Sequence, residues 1–403
     1  MRGRILVIDH KTPAPDEDSG SACAFVHLQL LAQAGFEITF APLDLADRGR
    51  HTRALAVAGV RTVASPEWIS LASVIEALGA QSDVVMLYRA PVAEQLFDFV
   101  RWVAPSTPIL FHTVDLHFLR MEREAAVTND AEWLEMARQA RAIELGLLAR
   151  ADASIVVSEH ELSLVRTLLP AIDVRHIPLL REVPERSRRA KAHWAVRRLC
   201  GRLGLPGHWL NRLDLARQKR DDLLFLGGFE HTPNVDAVSW FVSEVWPLLQ
   251  RRGFPHRLII AGSKLPKSIA ELASDRIEAR GYVEDLTSLY SSCRLSVAPL
   301  RFGAGVKGKV VTSLSYGVPV VATSTAAEGA QLKDGESILI ADTPDAFADA
   351  ILRLYSDAEL WQRLSVRGYR AFLDRFSLAA QGAALVTLVE ELVAKRRREM
   401  RAN

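Results

Sequence analysis

Residues 299–323 read PLRFGAGVKGKVVTSLSYGVPVVAT, a pattern that predicts a strand, a glycine-bearing loop, a helix and a second buried strand. Gly303 and Gly305 allow backbone N–H groups to approach a ligand closely, and the helix N-terminus that follows favours negative charge. Lys307 and Lys309 add two positive charges to the same turn. The stretch therefore predicts a phosphate-binding loop, and the alternative is a solvated basic turn before a helix.

Short apolar runs rich in β-branched residues recur on both sides of this stretch, with helical segments between them. They lie at 5–8, 38–43, 84–88, 109–111, 155–157, 222–228, 256–262, 277–283, 295–300, 319–323 and 338–341. Their apolarity is continuous rather than alternating, which predicts strands covered on both faces in a parallel sheet with crossover helices. The pattern restarts after residue 221, so we expect two doubly wound α/β domains, in agreement with a length of 403 residues.

The composition excludes several classes of protein. Hydrophobic residues make up 49% and charged residues 24%, which is typical of a globular protein and not of a disordered chain. The formal net charge is only +2, so no global basic field predicts a nucleic-acid partner. Cys23, Cys200 and Cys293 show no CxxC pattern and no histidine at ligand spacing, so we expect no disulfide framework and no metal site. Without an apolar signal-peptide core we expect a cytoplasmic protein.

One segment departs from this balance. Residues 181–220 contain 12 Lys and Arg against 3 Asp and Glu, and 186–203 include the helical apolar spacing of Val196, Leu199 and Leu203. A basic amphipathic helix of this kind binds anionic headgroups, which predicts a peripheral contact with the inner face of the membrane. The other interpretation, an interdomain helix with a solvated basic face, is the more frequent case.

The loop after the first strand, HKTPAPDEDSGSACA, precedes the first helix. A dinucleotide fold places GxGxxG here, but only Gly20 is present, so hydride transfer on a nicotinamide cofactor is disfavoured. Ser19 and Gly20 present free N–H groups at a helix N-terminus, which suits an anion. An ordinary N-cap turn explains them equally well.

With GxGxKxK at 303–309 and GVPVVAT at 317–323, the sequence resembles the retaining glycosyltransferases of family 4, which have the GT-B fold of two facing Rossmann-like domains. Three further segments resemble the same family: ILVIDHKTPAPDEDSGS (5–21), LFLGGFEHTPNVDAV (224–238) and RGYVEDLTSLYSSCRLSVAPL (280–300). The resemblance implies that a nucleoside-diphosphate sugar lies in the cleft against the C-terminal domain. It also implies that the N-terminal domain holds the acceptor.

The domain boundaries follow from this interpretation. We expect a Rossmann-like acceptor-side domain at 1–182 and a basic linker or amphipathic insertion at 183–221. The Rossmann-like nucleotide-sugar domain then covers 222–376, and 377–403 form a C-terminal helix that can pack back across the domains.

The resemblance also implies roles for residues of the first domain. FHT at 111–113 matches the family's strand-end FHT, which makes His112 the catalytic residue near the anomeric centre of the sugar. A structural histidine that caps the strand is the alternative. Asp115, His117 and Arg120 follow directly and line the acceptor side in this interpretation, whereas a solvated polar loop explains them equally well.

On the donor side, the resemblance places the base against Tyr282 and Val283 and brings Glu328 near the sugar or ribose. The alternatives are a core position for Tyr282 and a helix-terminal carboxylate for Glu328. The complete predicted donor set is Gly20, Tyr282, Val283, Arg301, Gly303, Gly305, Lys307, Lys309, Thr312 and Glu328.

Two departures from the family pattern weaken the donor site. The family has two glutamates with seven residues between them, and Ala304 and Thr312 occupy those positions here. The usual Arg and Lys after the first strand of the second domain are replaced near Gly228 and Asn234. The diphosphate must then be neutralised by the remaining cations, which are Lys307, Lys309 and Arg301.

These observations predict a transferase that moves a sugar from a nucleoside-diphosphate sugar to an acceptor hydroxyl, with retention, without metal and without a further cofactor. The expected acceptor is a saccharide or a lipid-linked intermediate, as in surface polysaccharide or glycolipid synthesis. Two alternatives stay open: a nucleotide-sugar 2-epimerase on the same fold, and a non-catalytic binding or scaffold protein.

Overall fold

The structure is a computed structural model that describes residues 2–184 and 220–402. The amphipathic helix and membrane contact predicted at 186–203 lie outside the described residues. The two described parts each contain one parallel sheet, so the expected pair of doubly wound α/β domains is confirmed. We call residues 2–184 the first lobe and residues 220–376 the second lobe.

The sheet of the first lobe has seven parallel strands in the order β3-β2-β1-β4-β5-β6-β7. Its elements are β1 (Arg4–Asp9), α1 (Ser19–Gln33), β2 (Glu37–Pro42), α2 (Arg50–Val57), β3 (Val60–Thr62), α3 (Leu71–Leu78), β4 (Val84–Tyr88), α4 (Ala90–Val103), β5 (Ile109–His112), α5 (His117–Thr128), α6 (Ala131–Arg150), β6 (Ala153–Val156), α7 (Glu159–Leu168) and β7 (Val174–His176). The strand order reverses between β1 and β4, where open sheets of this kind bind ligands.

The sheet of the second lobe repeats this design with the order β10-β9-β8-β11-β12-β13. Its elements are β8 (Asp222–Leu226), α8 (Thr232–Trp240), a π-helical segment (Phe241–Val245), α9 (Trp246–Arg251), β9 (Leu258–Ala261), α10 (Lys267–Ala270), β10 (Ile277–Gly281), α11 (Leu286–Ser292), β11 (Cys293–Ala298), α12 (Gly308–Ser315), β12 (Val320–Ala322), α13 (Ser324–Ala327), β13 (Leu339–Ile340), α14 (Pro344–Ser356) and α15 (Ala358–Arg375). The order reverses between β8 and β11.

Successive residues of the strands enter two different cores, because side chains alternate across a sheet. In β1, Leu6 and Ile8 pack into one hydrophobic cluster of the first lobe, and Ile5 and Val7 pack into the other. Both faces are thus covered, which explains why these strands read as continuous apolar runs.

The C-terminal helix α16 (Leu378–Ala402) returns to the first lobe. Leu385, Leu388 and Val389 are buried in the same cluster as Ile5 and Val7. The contact adds apolar burial to the lobe that lies farthest from this helix along the chain.

In the first lobe, polar capping residues place the N-termini of two helices at one edge of the sheet. Ser158 follows β6 and its hydroxyl accepts a hydrogen bond from the backbone N–H of Glu161 at 3.1 Å, in the first turn of α7. Asp18 caps α1 in the same way through Ser21, at 2.8 Å. The partly positive ends of these helices therefore lie at the carboxyl edge of the sheet.

Candidate functional site

The carboxyl edges of the two sheets face one another, and the loops that follow the strands touch. The Ser263 hydroxyl, after β9, donates to the Glu17 carbonyl at 2.8 Å, and the Tyr282 hydroxyl, after β10, donates to the Asp16 carboxylate at 2.5 Å. Both partners belong to the loop between β1 and α1. The candidate site is the interface that these contacts close.

The glycine-rich loop between β11 and α12 requires glycine at two positions. Gly303 has φ +150° and Gly305 has φ +63°, both in the range that side chains rarely adopt. A Cβ at Gly305 would lie 3.2 Å from the Asp115 and Val157 side chains of the first lobe. The loop therefore faces the opposite lobe, and its backbone approaches it closely.

Lys307 is buried in this loop, with 7% of its surface exposed. Its ammonium group donates to the carbonyls of Ala304 at 3.1 Å and Gly305 at 2.7 Å. Burial lowers the pKa of Lys307 to about 8, although the carboxylates of Glu328 and Glu161 favour its charged form. Lys307 thus braces the loop and keeps a cation at the interface of the lobes.

Lys309 lies one residue inside α12 and reaches the end of β8. Its ammonium group donates to the Asn234 side-chain oxygen at 2.6 Å and lies 5.2 Å from the centre of the Phe225 ring. Asn234 in turn donates to the Gly228 carbonyl at 2.6 Å. A cation therefore stands beside the residues that replace the family's Arg and Lys, supplied by a different element of the chain.

Two helix N-termini meet at the interface. A Cβ at Gly308, at the start of α12, would overlap the Ser19 side chain at the start of α1. The Arg181 guanidinium donates to the Ser19 hydroxyl at 2.6 Å and to its carbonyl at 3.0 Å. Since both helix ends are partly positive, their junction suits an anion.

Gly308→Ala is expected to separate the two lobes, because the new methyl group cannot share space with Ser19. We expect the radius of gyration of the unliganded protein to rise in small-angle scattering. Gly146→Ala is the matched control, since no atom of the described residues lies within 4 Å of a Cβ there and alanine favours helix α6. An identical scattering curve for Gly308→Ala and the wild type would show that the interface absorbs the methyl group.

Gly20, the second residue of α1, lies beside a cation that sequence reasoning missed. A Cβ at Gly20 would lie 3.0 Å from the Arg89 guanidinium, whose Nε donates to the Asp9 carboxylate at 2.9 Å. Nη2 of Arg89 is buried and has no hydrogen-bond partner in the described ranges 2–184 and 220–402. Its position directly after β4, at the point where strand order reverses, is the signal that could have identified it.

His112 ends β5 and is 1% exposed. Its ring stacks on Tyr88 with 4.6 Å between centroids, and its Nδ1 accepts from the Val114 backbone N–H at 3.0 Å. Burial, together with nearby His27 and Arg89, lowers the pKa of His112 well below its ordinary value. The ring is therefore neutral with its proton on Nε2, which is buried and has no partner among the residues that the structure describes.

His112 also belongs to a cluster that the sequence interpretation overlooked. His27 follows Cys23 by one helical turn, so the statement that no histidine lies at ligand spacing from a cysteine was wrong. The Cys23 sulfur lies 3.4 Å from Nε2 of His27, and ligand atoms of these two residues and His112 lie within 4.8 Å of one another. Two features oppose metal binding: burial raises the pKa of the Cys23 thiol, and Val114 occupies Nδ1 of His112, leaving the proton on Nε2.

The predicted acceptor-side residues form one ion-pair network. The Arg120 guanidinium donates to the Asp115 carboxylate at 2.8 Å, and Nε2 of His117 lies 3.3 Å from the other carboxylate oxygen. Burial alone would raise the pKa of Asp115, but Arg120 and His117 hold it well below its usual range. With side chains between 18% and 23% exposed, the three differ from a solvated loop.

The other predicted donor residues are distributed unevenly. Tyr282 is 41% exposed and Val283 packs on a small core of the second lobe, so neither is fully buried. Arg301 bonds to Asp236 of α8 rather than to the lysine loop, and Thr312 is half-buried on α12. The structure thus brings together the glycines, both lysines and Glu328, but gives Arg301 another partner.

A cavity of about 660 Å³ opens between the lobes next to Glu328. The first lobe contributes Arg123, Val127 and His160 to its wall, and the second lobe contributes Arg301, Glu328 and Leu332. Its volume lies in the range of small-molecule sites. Like Arg89 and Arg181, Arg123 is a cation at the interface of the lobes that sequence reasoning missed.

Comparison with known proteins agrees with this architecture. Residues 220–357 match the family model described as "Glycosyl transferases group 1". The lipopolysaccharide core biosynthesis glycosyltransferase LpsE of Rhizobium meliloti (strain 1021) is 30% identical over 164 residues, an alignment that covers 35% of this chain and 47% of LpsE. The chain spans less than half the length of the curated relatives it matches.

Solved structures match over nearly the whole chain. Sucrose-phosphate synthase from Thermosynechococcus elongatus superposes with a TM-score of 0.70 at 17% identity, covering 97% of this chain and 99% of the other. Anabaena HepE in complex with UDP-glucose superposes with a TM-score of 0.66 at 13% identity, again covering 97% and 99%. At these identities the likeness concerns the fold.

None of the helices in the described ranges combines the length and the apolarity that a bilayer span requires. The matches to solved structures show that the fold is GT-B, the two-lobed fold of glycosyltransferases, and in its second lobe the chain matches the group 1 model of these enzymes.

Proposed function

We propose that this protein transfers a sugar from a nucleoside-diphosphate sugar to an acceptor hydroxyl. The observation that carries the proposal is the pair of lysines, Lys307 and Lys309, held at the interface of the lobes next to the joined N-termini of α1 and α12. The match of residues 220–357 to the group 1 model supports it, as does the likeness to HepE, whose structure contains UDP-glucose.

The mechanism follows from where charge develops. As the bond between the sugar and the diphosphate breaks, negative charge grows on the leaving diphosphate, and a preorganised cation stabilises it more than it stabilises the substrate. Lys309 and the two helix N-termini supply that positive charge without a metal ion. We propose retention of configuration at the sugar on the strength of the family resemblance.

His112 supplies the second contribution. Its Nε2–H is a neutral donor that no group in the described part of the chain accepts from, so we expect it to bond to a sugar hydroxyl near the anomeric centre. A neutral donor suits this place, because a positively charged ring would oppose the developing positive charge on the sugar. Tyr88 fixes the plane of the ring by stacking.

The replacement of the paired glutamates alters how the donor is held. Thr312 offers a neutral hydroxyl to the ribose in place of a carboxylate, and Glu328 is a second-lobe carboxylate whose charge favours the ammonium form of Lys307. A neutral hydrogen bond contributes about 0.5–1.5 kcal/mol, against about 1.5–3 for one to a charged group. We expect weaker donor binding than in a member with both glutamates.

The proposed acceptor is a saccharide of a surface polysaccharide or glycolipid, since LpsE is named for lipopolysaccharide core synthesis. A lipid-linked acceptor, a cytoplasmic location and membrane contact through residues 186–203 stay predictions from the sequence. Absence of a further cofactor is likewise part of the proposal.

A panel of UDP-, GDP- and ADP-sugars tests the proposal by thermal shift. A ligand that binds only the native state raises the melting temperature by mass action. At a ligand concentration of 100 times its Kd, the free energy of unfolding rises by about 2.7 kcal/mol. We expect sugars of one nucleotide base to raise the melting temperature clearly more than those of the other two. Release of free nucleoside diphosphate only after a saccharide acceptor is added separates a transferase from a 2-epimerase and from a binding protein, and a panel without any shift contradicts the proposal.

The pH dependence of donor binding provides a second test. Burial, with a smaller effect from Lys307, lowers the pKa of Lys309 to about 7, and a bound diphosphate favours the ammonium form and raises this pKa. The affinity for the donor is therefore highest below pH 7 and falls as the pH rises above 7. It levels off once the pH exceeds the raised pKa of Lys309 in the donor complex.

Lys309→Arg is the matched control for this profile, because arginine stays charged. In this variant we expect the fall to begin about one pH unit higher, where Lys307 titrates with a pKa of about 8. Calorimetric titration from pH 6 to 9 measures both profiles. A flat profile in the wild type would exclude Lys309 from the anion site.

A further inference from the structure

Arg123, on α5 of the first lobe, makes the most extensive charged contact with the second lobe in the described part of the chain. Its Nη1 donates to the Gly303 carbonyl at 2.7 Å and to one Glu328 oxygen at 2.7 Å. Its Nη2 donates to the other Glu328 oxygen at 2.8 Å. One guanidinium thus holds two separate loops of the opposite lobe.

We propose that Arg123 is a positioning residue for the sugar transfer: it clamps the glycine-rich loop and Glu328 in the arrangement that binds the donor. The inference rests on the proposed function and assigns to the acceptor-side lobe a part in completing the donor site. The sequence pattern placed no donor residue on α5.

The geometry of the contact supports a positioning role. A bidentate guanidinium–carboxylate pair fixes the orientation of both partners, which a single lysine contact does not. The side chains of Arg123 and Glu328 are each 25% exposed, so water screens the pair less than a surface pair. A Cβ at Gly329 would lie 2.7 Å from the Ser158 side chain, so the turn that carries Glu328 is also seated on the first lobe.

The loop end of the clamp reaches the candidate anion site. A Cβ at Gly303 would lie 3.0 Å from Cε of Lys307, so the carbonyl that Arg123 binds belongs to the residue packed against the lysine chain. Release of this carbonyl would free a loop that two positive-φ glycines already make easy to deform. Arg123 therefore limits the positions available to the Lys307 ammonium group.

The charges around Lys307 also support a positioning role for Arg123. The Glu328 carboxylate is the strongest of the charges that favour the ammonium form of Lys307, so its charge acts on the lysine across the loop. Pairing with Arg123 neutralises Glu328, leaving the positive charge of Lys307 available to a diphosphate. Removal of Arg123 would let the carboxylate compete with the donor for this lysine.

The experiment uses the full chain with UDP-glucose as the probe, titrated calorimetrically, and small-angle scattering of the unliganded protein. We expect Arg123→Gln to raise the Kd for UDP-glucose by roughly tenfold, which corresponds to the loss of one charged hydrogen-bond pair. Arg123→Lys is expected to recover only part of the affinity. The radius of gyration of Arg123→Gln should exceed that of the wild type.

Arg141→Gln is the matched control. Arg141 bonds to Glu122 at 3.0 Å with side chains 37% and 27% exposed, but this pair joins α6 to α5 within the first lobe. We expect its Kd and its radius of gyration to match the wild type. A comparable loss in both variants would show a general effect of removing an arginine.

A double-mutant cycle with Glu328→Gln tests whether Arg123 acts through Glu328. If it does, Arg123→Gln costs clearly less affinity in the Glu328→Gln background than in the wild type. Equal Kd and equal radius of gyration for Arg123→Gln and the wild type would overturn the inference while leaving the proposed function intact. If the wild type itself binds no UDP-glucose, the positioning role fails together with the function for this donor, and the scattering alone then decides whether Arg123 joins the lobes.

Discussion

His112→Asn is expected to lower kcat by about 10²–10³-fold, the cost of removing one preorganised donor from a transition state. The asparagine oxygen takes the place of Nδ1 and still accepts from Val114 N–H, so the change keeps this contact and removes the Nε2–H group together with the ring that stacks on Tyr88. Because the Nε2–H group acts mainly in the transition state, the KM for the nucleoside-diphosphate sugar should change far less than kcat. The measurement is the steady-state rate of nucleoside-diphosphate release with a saccharide acceptor.

Two comparisons make this prediction specific. His112→Gln returns an N–H group near the position of Nε2 but loses the Val114 contact, so we expect it to recover part of the rate that His112→Asn loses. His256→Asn, in the second lobe where the ring stacks on Tyr355, should keep the wild-type rate. If His112→Asn retained the wild-type kcat, the histidine would have a structural role only.

Lys309→Met is expected to raise the donor Kd by about 10–100-fold, because a charged hydrogen bond contributes about 1.5–3 kcal/mol. Methionine keeps the length of the chain and packs well on the Phe225 ring that now lies 5.2 Å from the ammonium group. The variant removes a cation whose pKa is lowered by burial, and this gain offsets the loss of the hydrogen bond to Asn234, so the melting temperature of the unliganded protein should change little.

Lys267→Met is the control for Lys309→Met. The Lys267 side chain is 89% exposed on α10 and, among the described residues, pairs only with Glu271 one turn away, so its removal should leave donor affinity unchanged. Loss of stability in Lys309→Met without loss of donor affinity would show that Lys309 supports the fold and not the donor.

The fold was largely predictable from local pattern. The buried strands of both sheets read as continuous apolar runs, because helices cover both of their faces. The strands that the pattern missed, β3 (Val60–Thr62) and β7 (Val174–His176), are three-residue edge strands. An edge strand that short shows too little apolar sequence to differ from a loop.

From the residue pattern alone, without the family resemblance, the candidate site was predictable only where its residues belong to one loop. Gly303, Gly305, Lys307 and Lys309 lie within seven residues, so their shared pattern indicated an anion site. Arg123 has no such neighbours in sequence: its partners Gly303 and Glu328 are 180 and 205 residues away. Arg301 shows the limit of such a pattern: it is close in sequence to the lysines, but its side chain pairs with Asp236, and its role in donor binding stays a prediction.

Sequence alone determined the order of strands and helices, the two α/β halves and the glycine–lysine loop, because these depend on periodicity and backbone preference over a few residues. Only the tertiary structure decided which side chains from distant parts of the chain meet at the site. It joined Lys309 to Asn234, His112 to Cys23 and His27, and Arg123 to Glu328. These pairings depend on the strand order of each sheet and on the contact between lobes, so residues far apart in the chain meet through packing that no local pattern encodes.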